Sequence, residues 1–137
     1  MAKDKFHDNA CNALVNDGWT ITNEEWNLEV LGFNVKIDIA AERLIAATKN
    51  NQKIAVEVKS FLSQSPVSQF HMALGQFLNY RDVLENVDRE RKLYLAIPKD
   101  AYLTTFQIPF ILQATERYGL TLLVYEPARE VIVEWKN

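Results

Sequence analysis

Residues 33–39 alternate without a break. Phe33, Val35, Ile37 and Ile39 fall on one side, and Asn34, Lys36 and Asp38 on the other. A period of two is the signature of a half-buried strand and is incompatible with a helix. Two β-rich runs follow, Leu44–Thr48 and Lys53–Phe61, separated by Asn50-Asn51. Asparagine tolerates positive φ, so this arrangement reads as a hairpin turning at Asn50-Asn51. Three strands in succession, the last ending in Glu57-Val58-Lys59, set the frame of the fold.

Helical signals surround that frame. Asp4 to Asp17 carries Phe6, Ala10, Ala13 and Leu14 at helical spacing, and Gly18 suits the residue after a helix end. Trp19 to Thr22 alternates as a short strand. Ser65-Pro66 is a cap followed by a proline in the first helical position. The helix it opens turns Val67, Phe70, Leu74, Phe77, Leu78 and Leu84 inward and ends near Val87. Leu93–Ile97 is a buried strand stopped by Pro98. Ala101–Tyr118 is helical, with a break or restart at Pro109 and an end at Gly119. Leu120–Tyr125 and Val131–Trp135 form a closing hairpin around residues 127–130. The order is α-β-β-β-α-β-α-β-β, one α/β domain over residues 1–137 with a mixed sheet flanked by helices.

Glu57 and Lys59 lie two apart on a strand and therefore share a face. An acid on the neighbouring strand can join Glu57 in holding a hard divalent cation, with Lys59 beside them to position a water or offset phosphate charge. That is the arrangement of metal-dependent phosphodiester cleavage. A two-residue turn at Asn50-Asn51 places Glu42 opposite Lys59 and Leu44 opposite Glu57. Asp38 then lies roughly 20 Å along the strand from the partner of Glu57. It reaches a shared cation only through a bulge or bend near Ala40-Ala41; Glu42 is the nearer ligand. Taken alone, Glu57-x-Lys59 reads first as a solvated strand face with a Glu42–Lys59 cross-strand ion pair.

On the following helix, Gln76 and Tyr80 are four apart and hence neighbours on one surface. An amide beside a phenol can hydrogen-bond a phosphate oxygen or a metal-bound water. His7 and Asp8 sit on the first helix, where His7 is a surface residue or a support to the metal. His71, beside Phe70, is structural. No Gly-rich phosphate loop, Gly-x-Ser-x-Gly elbow or His-Glu-x-x-His motif is present, which leaves kinase, serine hydrolase and zincin chemistry without support.

The net charge is −3, whereas free-standing nucleic-acid binders usually carry a basic footprint. Local basic patches remain open around Lys49, Lys53 and Lys59, or Arg89, Arg91 and Lys92. If DNA is the substrate, a partner, an oligomer or the metal supplies positive potential. The apolar runs are too short to span a bilayer, and the N-terminus lacks a secretory h-region, which suggests a cytoplasmic protein. The single cysteine, Cys11, excludes an internal disulfide and a Cys-based zinc site, and is expected to pack as a small apolar residue. Trp26, Phe106 and Phe110 fall in segments with no obvious cover and are candidates for an exposed docking patch.

Asp38, Glu57-x-Lys59 and Gln76-x-x-x-Tyr80 together resemble the PD-(D/E)xK nuclease superfamily, the last pair its RecB-like branch. More narrowly, the chain resembles the XisH family, the fdxN element excision controlling factors of cyanobacteria. The similar stretches are residues 6–8, 17–22, 41–47, 52–61 and 73–77. The resemblance implies a restriction-endonuclease-like fold and a role beside a site-specific recombinase in excising a DNA element, with the companion factor XisI as partner. It implies that Asp38 and Glu57 hold Mg²⁺ or Mn²⁺, that Lys59 orients the attacking water, and that Gln76 and Tyr80 support phosphate or strand. Ile37 precedes Asp38 where the superfamily has proline, and whether Asp38 or Glu42 is the second acid stays open. So does whether such a chain cleaves DNA or acts only as an accessory factor. An acidic chain grips DNA poorly, which suggests a homo-oligomer or hetero-complex.

Overall fold

A computed structural model describes residues 3–45 and 50–137. Helix α1 (His7–Asn16) leads into strands β1 (Thr20–Val30), β2 (Phe33–Ile45) and β3 (Asn50–Val58). Helix α2 (Pro66–Val87) connects β3 to β4 (Lys92–Pro98). Helix α3 (Lys99–Leu103), a 3₁₀ turn at Thr105–Gln107 and helix α4 (Pro109–Arg117) connect β4 to β5 (Leu122–Glu126), and β6 (Val131–Lys136) closes the chain. Where the sequence suggests one interrupted helix over residues 101–118, the chain forms these three short pieces, and Pro109 opens the last.

All six strands form one sheet in sequence order. β1, β2 and β3 are antiparallel, β3–β4–β5 are parallel, and β6 returns antiparallel to β5. Parallel neighbours need crossovers, and here α2 and the α3–α4 segment supply them. Phe70, Phe77, Phe106, Ile111 and Ala114 pack with Leu95 and Ile97 on one face. Ala10, Ala13 and Leu14 of α1 pack with Ile54, Val56 and Leu123 on the other. The sheet is thus sandwiched between α1 and the remaining helices, the layering expected when both faces are apolar.

Local chemistry explains most boundaries. Ser65 accepts a hydrogen bond from the Ser68 amide at 3.3 Å and Pro66 begins α2. Gly18 takes φ +96 where α1 ends. β1 and β2 join through Leu31 (φ 52) and Gly32 (φ 78), between the paired residues Val30 and Phe33. Positive φ at both positions is the turn whose twist matches a two-residue hairpin.

Several expectations are corrected. Strand β1 runs on to Val30, well past Thr22, because it pairs along nearly the whole of β2. Asn50 and Asn51 are strand residues paired with Ile45 and Leu44, not a turn. Of the expected strand Leu44–Thr48, Leu44 and Ile45 form the end of β2, and residues 46–48 lie outside the described residues. Finally, the alternating side of β2 does not face one core: Val35 and Ile37 pack on the α2 side, Ile39 and Ala41 on the α1 side. The strand changes face at Asp38. Val67, expected inward on α2, is 48% exposed.

Candidate metal centre

The β2–β3 ladder runs from Ile45↔Asn50 to Ile39↔Val56. Its next two positions are Asp38 and Glu57, which brings the two acids face to face with no bulge. Glu42 stands opposite Lys53, six residues from the Lys59 it was expected to face. Because six is even, the shift preserves which side chains share a face. Here the strands stop exchanging backbone bonds and the acids take over. The Val58 amide donates to Asp38 Oδ2 at 2.8 Å, and the Asp38 amide donates to Glu57 Oε1 at 3.4 Å. Lys59 Nζ lies 3.6 Å from Glu57 Oε2, with 17% of its side chain exposed.

Burial dominates the electrostatics. It pushes the Glu57 carboxyl up to about 8, the charge of Asp38 adds to the rise, and Lys59 opposes it. Burial also raises Asp38, against the Val58 amide and the charges of His7 and Lys59. At neutral pH the pair therefore retains a proton. The buried Glu57 carboxyl facing the partly buried Asp38, with one lysine as the counter-charge in contact, forms an oxygen-donor set short of positive charge. That donor set fits a hard divalent cation.

A cleft of about 410 Å³ opens beside the pair, lined by Asp38, Glu57, Gln76 and Tyr80 together with Lys36 and Glu25. Gln76 Oε1 is buried without a hydrogen-bond partner, a free acceptor at the site. Burial, then the charges of Glu57 and Asp38, push the Tyr80 phenol up to about 12, so it remains a donor at working pH. α2 thus brings its Gln76/Tyr80 face to the acids. Glu42 does not join them: its carboxylate lies 3.5 Å from Arg91 and accepts from Asn51 at 3.1 Å. His7 is not a surface residue. It is buried, its Nε2 lies 2.8 Å from Glu24 Oε1, and it is near enough for its charge to act on Asp38.

The expected basic patches disperse. Lys53 pairs with Asp88 at 3.3 Å, Arg91 is buried, and Lys49 lies outside the described residues. Of the proposed docking residues, Trp26 packs against the core and Phe106 is buried, whereas Phe110 is 66% exposed. Lys36 and Glu25 are among the cleft residues that escaped sequence reasoning. Lys36 had a signal, since it alternates with Asn34 and Asp38 on one face. Glu25 had none: it stands across β1 from Asp38, between the pairs Glu24↔Ile39 and Trp26↔Ile37, at φ 50. A non-glycine residue held in that region beside a cleft is strain of a kind that gathers at functional sites.

A family model described as XisH protein matches residues 1–133. Two crystal structures are similar along their whole length. An XisH family protein from Nostoc punctiforme PCC 73102 superposes with a TM-score of 0.90 at 46% identity, covering 98% of this chain and 100% of its own. An fdxN element excision controlling factor protein from Anabaena variabilis does so with a TM-score of 0.89 at 47% identity, covering 96% and 98%. No curated protein matches the chain.

Proposed function

From the premise that this chain belongs to the XisH family, we propose that it is a controlling factor for programmed, site-specific excision of a DNA element, built on a PD-(D/E)xK-type scaffold that binds DNA phosphate through a divalent cation. The observation that carries the DNA-directed part is the opposition of Asp38 and Glu57 at the end of the β2–β3 ladder, with Lys59 in contact. The name of the Anabaena variabilis relative supports the excision role.

In this reading Asp38 and Glu57 hold Mg²⁺ or Mn²⁺, which supplies charge to a phosphodiester and lowers the pKa of a water. Lys59 orients that water and balances charge as the phosphate enters. Gln76 and Tyr80 contact phosphate oxygens from α2, Tyr80 as donor through its hydroxyl and Gln76 through its amide nitrogen. Glu25 and Lys36 border the path by which a strand reaches the acids. Buried acids that stay partly protonated alone become a full ligand set once a cation displaces the proton.

The test is metal-dependent binding and cleavage of labelled branched, single-stranded and duplex DNA by wild type, Glu57→Gln and Lys59→Met. The expected result is Mg²⁺- or Mn²⁺-dependent binding that Glu57→Gln abolishes, with any cleavage lowered at least ~100-fold in Lys59→Met. Cleavage that survives Glu57→Gln contradicts the metal assignment, and no metal-dependent effect on any DNA contradicts the DNA-directed role.

One observation favours a second reading, a non-catalytic interaction module. Leu103, Ile108, Phe110 and Leu112 are all substantially exposed along α3–α4. Docking of the companion factor XisI or the recombinase there predicts that Phe110→Asp abolishes their association and leaves metal binding unchanged.

A further inference from the structure

A second cluster of donors lies outside the paired acids, where the N-terminal half of α1 meets β1. His7 and Cys11 are four apart on α1 and so project from one face toward the strand, where Glu24 meets them. The imidazole nitrogen, the thiol sulfur and a carboxylate oxygen all lie within 4.8 Å of one another. His7 Nε2 is 2.8 Å and Cys11 Sγ 3.7 Å from Glu24 Oε1. A tetrahedral ion bonded at about 2.0–2.3 Å to such ligands needs donors about 3.3–3.8 Å apart. The Cys11–Glu24 distance falls in that range; the His7–Glu24 contact is shorter, a hydrogen bond that an ion entering between the two would replace.

We propose that His7, Cys11 and Glu24 form a second metal site, for a borderline transition cation such as Zn²⁺, at the seam of α1 and β1; a single cysteine rules out a zinc site built on several cysteines, whereas here histidine and glutamate complete the set. The donor types select the metal. Nitrogen, sulfur and one carboxylate match Zn²⁺ and its neighbours, whereas the all-oxygen pair at Asp38 and Glu57 matches Mg²⁺ and Mn²⁺. The burial pattern agrees: His7 is 1% exposed, Cys11 intermediate, and the Glu24 side chain half exposed, which leaves an outer side for the ion to enter and for a water as fourth ligand. His7 Nδ1 is buried with no hydrogen-bond partner, so the Nε2 contact with Glu24 is the ring's polar tie among the described residues.

This site shares no ligand with the paired acids, and Co²⁺ as a spectroscopic probe separates the two. Excess Mg²⁺ is present throughout to fill the oxygen-donor site. The expected result is a thiolate-to-cobalt charge-transfer band in wild type and in Asp38→Asn/Glu57→Gln, its absence in Cys11→Ser, and its displacement by one equivalent of Zn²⁺. Glu24→Gln, at a half-exposed position that keeps the fold, weakens Zn²⁺ binding by more than about tenfold. No band in wild type, a band that persists in Cys11→Ser, or unchanged affinity in Glu24→Gln overturns the proposal. Far-UV circular dichroism of each variant confirms that it is folded.

Discussion

Glu57 sits where its carboxyl prefers the proton, raised to about 8 by burial and by the facing Asp38. The sign of the linkage follows. An acid whose folded-state pKa lies above its unfolded value leaves the folded state binding more protons between the two values, so stability falls as pH rises from about 4.5 to 8. The metal-free protein is therefore predicted to lose stability across that window, and Glu57→Gln to remove most of the slope. At pH 8 the substitution should stabilise the metal-free chain by on the order of 3 kcal/mol, read from urea unfolding curves at pH 5 and pH 8. A wild-type stability that rises over that interval sinks this account of the pair. The strained Glu25 at φ 50 offers a neighbouring test. Glu25→Gly should add about 1 kcal/mol to the metal-free protein by relieving the backbone, and a loss of stability would show that its side chain does more structural work than the cleft requires.

At the scale of elements, the register between β2 and β3 decides which acids meet, and Arg91 secures it. Its guanidinium donates to the Ala41 carbonyl at 3.3 Å and the Ile54 carbonyl at 3.0 Å, contacts Glu42 at 3.5 Å and Asp88 at 3.2 Å, and lies over Trp26. One side chain thus ties β1, β2, β3 and the end of α2 together. Arg91→Met should cost about 3–5 kcal/mol, because it leaves Glu42 and Asp88 without their shared cation. A cost under about 1 kcal/mol in urea unfolding would show the network to be incidental. In the sequence, Arg91 reads as one more charge in Arg89-Glu90-Arg91-Lys92, since burial of an arginine depends on partners far along the chain. The register was hidden for a related reason. Asn50-Asn51 is good turn chemistry, but pairing along β1 and β3 outweighs that local preference and carries both residues into β3. What the sequence did carry was whatever depends on short range: the Ser65-Pro66 start of α2, the end of α1 at Gly18, and the Glu57-x-Lys59 and Gln76-x-x-x-Tyr80 spacings. Asp38 was legible as a candidate, and only the long-range register distinguishes it from Glu42.

Across the whole molecule the charge is −3, and the described basic residues nearest the site, Lys3, Lys36 and Lys59, are few. DNA association should therefore require the cation: EDTA is expected to abolish DNA retention in an anisotropy assay without changing the far-UV spectrum. DNA bound equally well in EDTA would place recognition on another surface. Among the described residues no helix is long and apolar enough to cross a membrane. The measurement that tests the central claim most directly is calorimetric titration of Mn²⁺ into wild type, Asp38→Asn, Glu57→Gln and Glu42→Gln. The opposed pair predicts binding in wild type and Glu42→Gln, and its loss in Asp38→Asn and Glu57→Gln. Binding that survives in Glu57→Gln, or that is lost in Glu42→Gln alone, would contradict it.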